Sequence, residues 1–280
     1  MNTDYSIRKR SLFDSFSINT ILIFLNVIFF IAVTAVVSFK PDIFNYLSLK
    51  PSLVIRGKYL WTFLTSMFVH AGFAHLFFNM FSLFFIGSFV ERLIGRKRYI
   101  WFYIISGLFA GIFFALLSGF FGTSDFGGRI FGDPSIAGVG ASGAIFALVG
   151  LLAVLIPYSR VYLIIGPLIA IILDSVVSFI FPTSSFLPSL SFILNIYLLI
   201  SIFAIFSFNS GFRKLAIPVE MPFWLLPIVA ILPLVVIGFF VSLPIGNMAH
   251  LGGLIAGLVY GFYLKGRYRN KTKLLRRYFG

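Results

Sequence analysis

Long apolar runs constrain this chain more than any other feature of its sequence. Several windows exceed 18 apolar residues with almost no charge, and an α-helix of about 20 such residues crosses the hydrocarbon core of a bilayer. Hydrophobic residues make up 60% of the chain and charged residues 11%, whereas ordinary soluble domains have about 45–50% and about 25%. These run lengths argue against a soluble protein with very apolar core helices. The sequence therefore predicts an all-α polytopic membrane protein.

The apolar runs predict about eight spans within a single membrane domain, residues 1–280. They are Ile18–Phe39, His75–Ile94, Tyr99–Phe121, Ala141–Pro157, Val161–Phe181, Pro188–Phe208, Pro222–Val241 and Gly246–Leu264. A polar segment, 1–17, precedes them and a basic tail, 265–280, follows them. A cleaved signal peptide is the alternative for the first run, which is long for the apolar core of such a peptide.

The distribution of basic residues predicts the orientation of these spans. With the N-terminus inside, the inner segments hold 17 of the 22 lysines and arginines and the outer loops hold five, as the positive-inside rule requires. This bias explains the net charge of +14 without a nucleic-acid partner. We expect both termini to be cytoplasmic and the tail to contact lipids of the inner leaflet.

A serine at the start of a helix is the main candidate for catalysis. Ser142 lies in the stretch Gly140-Ala141-Ser142-Gly143, where a glycine-rich loop meets an apolar run. The first N–H groups of a helix have no partner inside it, and the helix dipole is positive there. A serine so placed can attack a carbonyl while these amides bind the oxyanion, provided that a base is near.

The predicted topology brings two histidines to the level of this serine. Among the three histidines, His75 and His250 open spans that enter from the outer side, as Ser142 does, whereas His70 lies in the preceding loop. We predict that His250 is the base and that His70 is structural. His75 and Asn79 share a helix face at i, i+4, and both carry N–H donors suited to an oxyanion. Hydrogen bonding to neighbouring helices is the alternative for this pair.

Small residues predict that the helices of Ser142 and His250 pack closely. They recur every three or four positions, at Gly143, Ala147 and Gly150 on one helix and at Gly253, Gly257 and Gly261 on the other. Such faces let helix backbones approach each other in lipid. We expect Gly143, Gly253 and Gly257 to form this contact, one turn from Ser142 and His250.

Taken together, these segments resemble the rhomboid intramembrane serine proteases. The motifs that carry the resemblance are Gly140-Ala141-Ser142-Gly143, the stretch from His70 through His75 to Asn79, and the stretch from Ala249-His250 through Gly253 to Gly257; Glu91 with Gly95 and Ser106-Gly107 are further landmarks. They occur in family order over about two thirds of the chain.

The resemblance implies a six-helix core and a specific chemistry. Ser142 would be the nucleophile and His250 the general base, without a carboxylate, and His75, Asn79 and the Ser142 amide would form the oxyanion hole. A histidine with the reference pKa of about 6.5 is neutral at neutral pH, as a base must be. The substrates would be single-pass membrane proteins, cut near the outer end of their helix after entering beneath a mobile cap, residues 242–249.

One feature departs from the family pattern. Rhomboids have a single span between the serine and histidine helices, whereas this chain has three predicted spans there. Residues 161–208 would then be an inserted hairpin, which keeps the orientation of His250. Within it, we expect Asp174 to pair with Asn195 or to lie at an interface, with a functional carboxylate as the alternative.

Two other functions fit the sequence less well. A transporter would have charges along a path, yet apart from Glu91 near the end of the second span, Asp174 is the one acidic residue in the predicted spans. An inactive rhomboid-like binding protein would be expected to lack the serine or the histidine. The chain has no cysteine and no His-Glu-x-x-His motif, so we predict neither a metal nor a cofactor. The physiological substrate and the oligomeric state cannot be read from the sequence.

Overall fold

The computed structural model of the chain describes residues 16–205, 209–239 and 246–279. Within these ranges the chain is mostly helical. The helices are α1 (Ile18–Val37), α2 (Asp42–Leu47), α3 (Pro51–Val54), α4 (Thr62–Thr65), α5 (Phe73–Ile94, with a π-helical turn at Leu83–Gly87), α6 (Arg96–Phe121), α7 (Asp125–Phe131), α8 (Ser142–Leu155), α9 (Ile165–Ile180), α10 (Leu187–Ile205), α11 (Ser210–Arg213), α12 (Leu226–Gly238), α13 (Asn247–Arg267) and α14 (Arg269–Phe279).

Helices α1, α5 and α6 are each long and apolar enough to cross a membrane, so the prediction of a multi-pass membrane protein is confirmed. Shorter apolar helices of 10 to 17 residues follow in α8, α9, α10 and the segment Phe223–Gly238. The predicted number of about eight spans stays a prediction. Parts of five predicted segments lie outside the described residues: 1–15 of the polar N-terminus, 206–208 of the hairpin, 240–241 of the span that starts at Pro222, 242–245 of the cap and residue 280 of the tail.

The chain is mostly helical, as predicted, and it also contains a small sheet that the sequence did not predict. Strand β1 (Arg160–Ile164) pairs antiparallel with β2 (Pro218–Pro222), with Arg160 opposite Pro222 and Ile164 opposite Pro218. The predicted spans from Val161 and Pro222 therefore begin later, with α9 at Ile165 and α12 at Leu226. Valine and tyrosine favour strands, and the prolines that bound β2 cannot donate helical hydrogen bonds.

Contacts between Cα atoms divide the chain into two compact units. The first comprises the described parts of Met1–Leu116, Ser135–Leu148 and Ala249–Ala256. The second comprises Leu117–Pro134, Val149–Met248 and Gly257–Gly280, again in their described parts. The first unit contains Ser142, His250, His75 and Asn79.

In the first unit, a buried carboxylate holds the start of α1. The two carboxylate oxygens of Glu91 accept the backbone N–H groups of Ile18 and Asn19, each at 2.8 Å. A carboxylate at this position complements the positive end of the helix dipole and satisfies two donors that have no partner inside the helix. The Asn19 side chain in turn donates to the Leu83 carbonyl at 2.8 Å, and Tyr99 donates its hydroxyl to Asn19 Oδ1. These bonds fix α1 against α5 and α6.

In the second unit, α9 and α10 pack against each other; that they form an inserted hairpin stays a prediction. Asp174 on α9 accepts a hydrogen bond from Ser191 Oγ on α10 at 2.6 Å. The expected partner, Asn195, instead donates to the backbone carbonyl of Ser191 at 2.7 Å. The predicted pairing of Asp174 with Asn195 was therefore wrong. Asp174 bonds to Ser191, one helical turn before Asn195, and the Asn195 amide bonds to the backbone of its own helix at i−4.

Candidate active site

Ser142 begins helix α8 after a loop that requires glycine. Gly140 has φ +111°, a conformation that residues with a β-carbon rarely adopt, and its N–H donates to the Ser66 carbonyl at 2.8 Å. The bond from Ile145 N–H to the Ala141 carbonyl, 3.1 Å long, closes the first turn of the helix. The N–H groups of residues 142–144 precede that bond, so they point out of the helix end where the dipole is positive.

His250 lies in the first turn of α13 and faces this serine. Its Nε2 atom is 2.8 Å from Ser142 Oγ, the distance of a hydrogen bond. Of the side chains that the structure describes, none is a hydrogen-bond partner of His250 Nδ1. In a Ser-His-Asp triad, the carboxylate that orients the histidine binds this nitrogen. The pair therefore has the geometry of a dyad.

An aromatic ring packs against the face of this histidine. Phe146 stacks on the His250 imidazole, with ring centroids 4.4 Å apart and planes inclined by 16°. Phe146 follows Ser142 by four residues and thus lies on the same face of α8. Sequence reasoning overlooked this residue, although its i, i+4 spacing from the serine was visible.

Close packing of α8 and α13 explains why the serine and the histidine meet. A β-carbon on Gly253 would overlap the carbonyl oxygen of Gly143 and lie 3.4 Å from Ala147 N. One on Gly143 would lie 2.8 Å from Ala110 Cβ and 3.6 Å from the Ala249 carbonyl oxygen. The backbones approach to a distance that glycine alone permits, as small residues do between membrane helices. Gly257, the third residue predicted for this contact, is buried farther along α13.

His75 and Asn79 on α5 face the loop that precedes Ser142. A β-carbon on Gly140 would lie 2.7 Å from His75 Nε2 and 3.7 Å from Asn79 Nδ2. Asn79 is buried, and its amide donates to the His75 backbone carbonyl at 2.8 Å. His75 and Asn79 thus both lie close to the backbone of Gly140, two residues before Ser142.

His70 lies in the loop before α5 and packs against His75. Its ring is 4% exposed and meets the His75 ring edge-to-face, with centroids 5.1 Å apart. Burial, with a smaller contribution from the neighbouring His75, lowers the pKa of His70 to about 4. His70 is therefore neutral at pH 7, and it packs against His75 without repelling a charge. The structural role of His70 stays a prediction that this packing supports.

The arrangement is suited to acyl transfer. It combines a serine hydroxyl, an imidazole nitrogen within hydrogen-bond distance of it and the N–H groups at the start of α8. Throughout the described ranges, no three His, Asp or Glu side chains cluster in a way that could hold a metal ion.

Comparison with known proteins identifies relatives of this chain. The family profile described as Rhomboid domain matches residues 57–197 and 194–267, together about three quarters of the chain. YdcA of Bacillus subtilis (strain 168) is 35% identical over 98 residues, which are 35% of this chain and 41% of that protein. Rhomboid protease GluP of the same organism is 35% identical over 101 residues, 36% of this chain and 17% of GluP. Inactive RHOMBOID-like protein 8 of Arabidopsis thaliana is 39% identical over 57 residues, 20% of this chain and 16% of the relative.

The chain spans less than half the length of each of these relatives. The two ranges of the family match include all four polar residues of the candidate site: His75, Asn79, Ser142 and His250.

Proposed function

The chain belongs to the rhomboid family, and we propose that it is an intramembrane serine protease with Ser142 as nucleophile and His250 as base. The observation that carries the proposal is the 2.8 Å separation of Ser142 Oγ and His250 Nε2. The GluP relative, which bears the name of a rhomboid protease, supports the same activity.

The proposed reaction proceeds through an acyl-enzyme. His250 Nε2 takes the proton of Ser142 as Oγ attacks the carbonyl carbon of the scissile bond, and negative charge develops on the carbonyl oxygen. The Ser142 N–H, His75 and Asn79 donate hydrogen bonds to that oxygen. His250 then protonates the leaving amine as the C–N bond breaks, and a water molecule, deprotonated by His250, hydrolyses the ester.

The stacked phenyl ring has a specific part in this scheme. With no carboxylate on Nδ1, the orientation of the imidazole depends on packing, and Phe146 supplies a flat apolar surface parallel to the ring. Rotation of the imidazole would move Nε2 away from Ser142 and lose the stacking contact. We propose that Phe146 positions His250.

We propose single-pass membrane proteins as substrates, because the serine and histidine both begin apolar helices. Hydrolysis also needs water, so the helix ends that carry the two residues would open to an aqueous side. The distribution of basic residues favours the extracytoplasmic side for this opening and the cytoplasm for both termini.

The inactive relative raises the possibility of a binding protein without catalysis. Such a protein would be expected to lack the nucleophile or the base, whereas here both are present and in hydrogen-bond contact. The contact favours the protease.

The test uses labelling and cleavage on the full-length protein in detergent. We expect a serine-reactive fluorophosphonate to label the wild type, and Ser142→Ala to abolish both labelling and cleavage of a single-pass substrate. His250→Ala should reduce both by more than 100-fold, since the serine would lose its base. Ser201→Ala is the matched control, because Ser201 is also buried but bonds to the Tyr197 carbonyl of its own helix. Cleavage that persists in Ser142→Ala would exclude the mechanism.

A further inference from the structure

The C-terminal helices of the second unit border an open cavity of about 520 Å³. This volume lies within the range of about 300–1,000 Å³ of small-molecule sites. The cavity is formed where α13 ends at Arg267 and α14 begins at Arg269. Its lining includes Phe262, Thr272 and the four basic residues Lys265, Arg269, Lys273 and Arg276.

The charge of this cavity is uncompensated. The chain has no aspartate or glutamate from residue 246 to its end. Within the part of the chain that the structure describes, none of the four basic side chains forms a salt bridge. Arg269, Lys273 and Arg276 are spaced by four and three residues and so lie on one face of α14. Lys265 adds a fourth charge from the end of α13. Four cations around one concave volume repel each other unless an anion neutralises them.

One of the four is held in place by backbone carbonyls. Arg276 Nη2 donates to the Val154 carbonyl at 2.7 Å, and its Nε to the Leu155 carbonyl at 3.4 Å. These carbonyls end helix α8, where the dipole is negative and a cation is favourable. The two bonds use two of the five N–H donors of the guanidinium. Arg276 thus lines the cavity in a fixed orientation, whereas Lys265, Arg269 and Lys273 reach it from side chains with more freedom.

Apolar side chains lie beside these charges. Phe262 lines the cavity and is mostly exposed, as are Leu274 and Tyr278 on α14. Exposed aromatic and aliphatic side chains next to lysine and arginine are typical of helices at the boundary between a membrane and water. Lys265 also lies over the Phe262 ring, 5.8 Å from its centroid.

We propose that this cavity binds a phosphate group supplied by the headgroup of an anionic phospholipid. A phosphodiester offers two charged oxygens that arginine and lysine recognise well, and the acyl chains of the same lipid can contact Phe262. A free phosphate ion would satisfy the charges but leave the apolar side of the cavity without a ligand. This inference does not rest on the proposed protease activity.

The test measures lipid binding to the full-length protein in a neutral detergent by native mass spectrometry. We expect one saturable molecule of dioleoylphosphatidylglycerol per protein. The triple variant Lys265→Gln/Arg269→Gln/Lys273→Gln should weaken this binding at least tenfold, while the bonds of Arg276 are kept. Arg267→Gln/Lys271→Gln/Arg277→Gln removes the same charge from residues outside the cavity lining, and it should change affinity by less than threefold. Equal losses in the two triple variants, or no loss in either, would overturn the proposal.

Two further arms identify the source of the phosphate. Dioleoylphosphatidylcholine has the same acyl chains without net charge, and sodium phosphate has the anion without chains. We expect both to bind at least tenfold more weakly than the anionic lipid. Equal binding of phosphatidylcholine would overturn the role of charge, and stronger binding of sodium phosphate would overturn the lipid as the source.

Two single substitutions provide a control for loss of folding in the triple variants. Lys273 and Lys271 are both exposed on α14, so Lys273→Glu and Lys271→Glu make the same change of charge at two surface positions. We expect the first to weaken lipid binding at least tenfold and the second by less than threefold. Indistinguishable effects would contradict the cavity as the site.

Discussion

Gly253→Ala adds one methyl group at the closest approach of two catalytic helices. Its β-carbon would lie 2.9 Å from the carbonyl carbon of Gly143 and 3.4 Å from Ala147 N, and it would overlap the Gly143 oxygen. All three are backbone atoms of α8, which cannot rotate away as a side chain can. Because carbon atoms pack at about 3.5–4.0 Å, α8 and α13 must separate by roughly 1 Å.

That displacement is large for a hydrogen-bonded pair. The distance between Ser142 and His250 is 2.8 Å, and an increase of about 1 Å takes it beyond hydrogen-bond range. A misplacement of about 1 Å can cost about 100-fold in rate, so we expect kcat to fall by about that factor. Overpacking of this kind also costs about 1–3 kcal/mol of stability, which should lower the midpoint of thermal unfolding.

The assay pairs cleavage kinetics and fluorophosphonate labelling with thermal unfolding in detergent. Gly266→Ala is the control on the same helix, since its β-carbon would meet no atom within 4 Å. Replacing glycine by alanine within a helix adds up to about 1 kcal/mol of stability, so the control should be at least as stable as the wild type and equally active. Cleavage by Gly253→Ala within threefold of wild type, with an unchanged unfolding midpoint, would refute the packing argument.

Three further predictions concern other contacts of the first unit. Phe146→Ala removes the ring stacked on His250, and since aromatic pairs contribute about 0.5–1.5 kcal/mol, we expect kcat/KM to fall about 2- to 12-fold; an unchanged value would show that stacking does not orient the base. Asn79→Ala removes a proposed oxyanion donor and should lower kcat about 100- to 1,000-fold with little change in KM, as measured on the same substrate. Glu91→Ala leaves two buried N–H groups of α1 unpaired and should cost about 2–4 kcal/mol in equilibrium unfolding, whereas Glu220→Ala, which breaks an exposed ion pair, should cost less than about 1 kcal/mol.

The proximity of Ser142 and His250 could be predicted because the features that cause it are visible in the sequence. Both residues begin apolar runs that the sequence predicts to enter the membrane from the same side, and small residues follow each at helical spacing. Membrane helices pack where small residues permit it, so spacing alone indicates which faces meet. The stacking of Phe146 on His250 follows from the same helical geometry.

Contacts that depend on distant or short segments could not be predicted. The carboxylate of Glu91 binds the start of a helix 72 residues earlier in the chain, and no local pattern indicates which helix end it reaches. Strands β1 and β2 have five residues each, too few for a period of two to be distinguished from an apolar run. Asp174 could bond to Ser191 or to Asn195, one turn apart on α10. Which of the two it contacts depends on how far α9 and α10 are shifted relative to each other along their axes.

The pairing of β1 with β2 places the two ends of the segment that contains α9 and α10 next to each other. Arg160 lies opposite Pro222, so the segment between the two strands begins and ends at neighbouring positions. The helices within it therefore add nothing to the distance between the end of α8 and the start of α12. Insertions whose ends are adjacent are the ones that folds tolerate best. The segment between the two strands, which contains α9, α10 and α11, can therefore be lengthened or shortened without separating the residues that flank it.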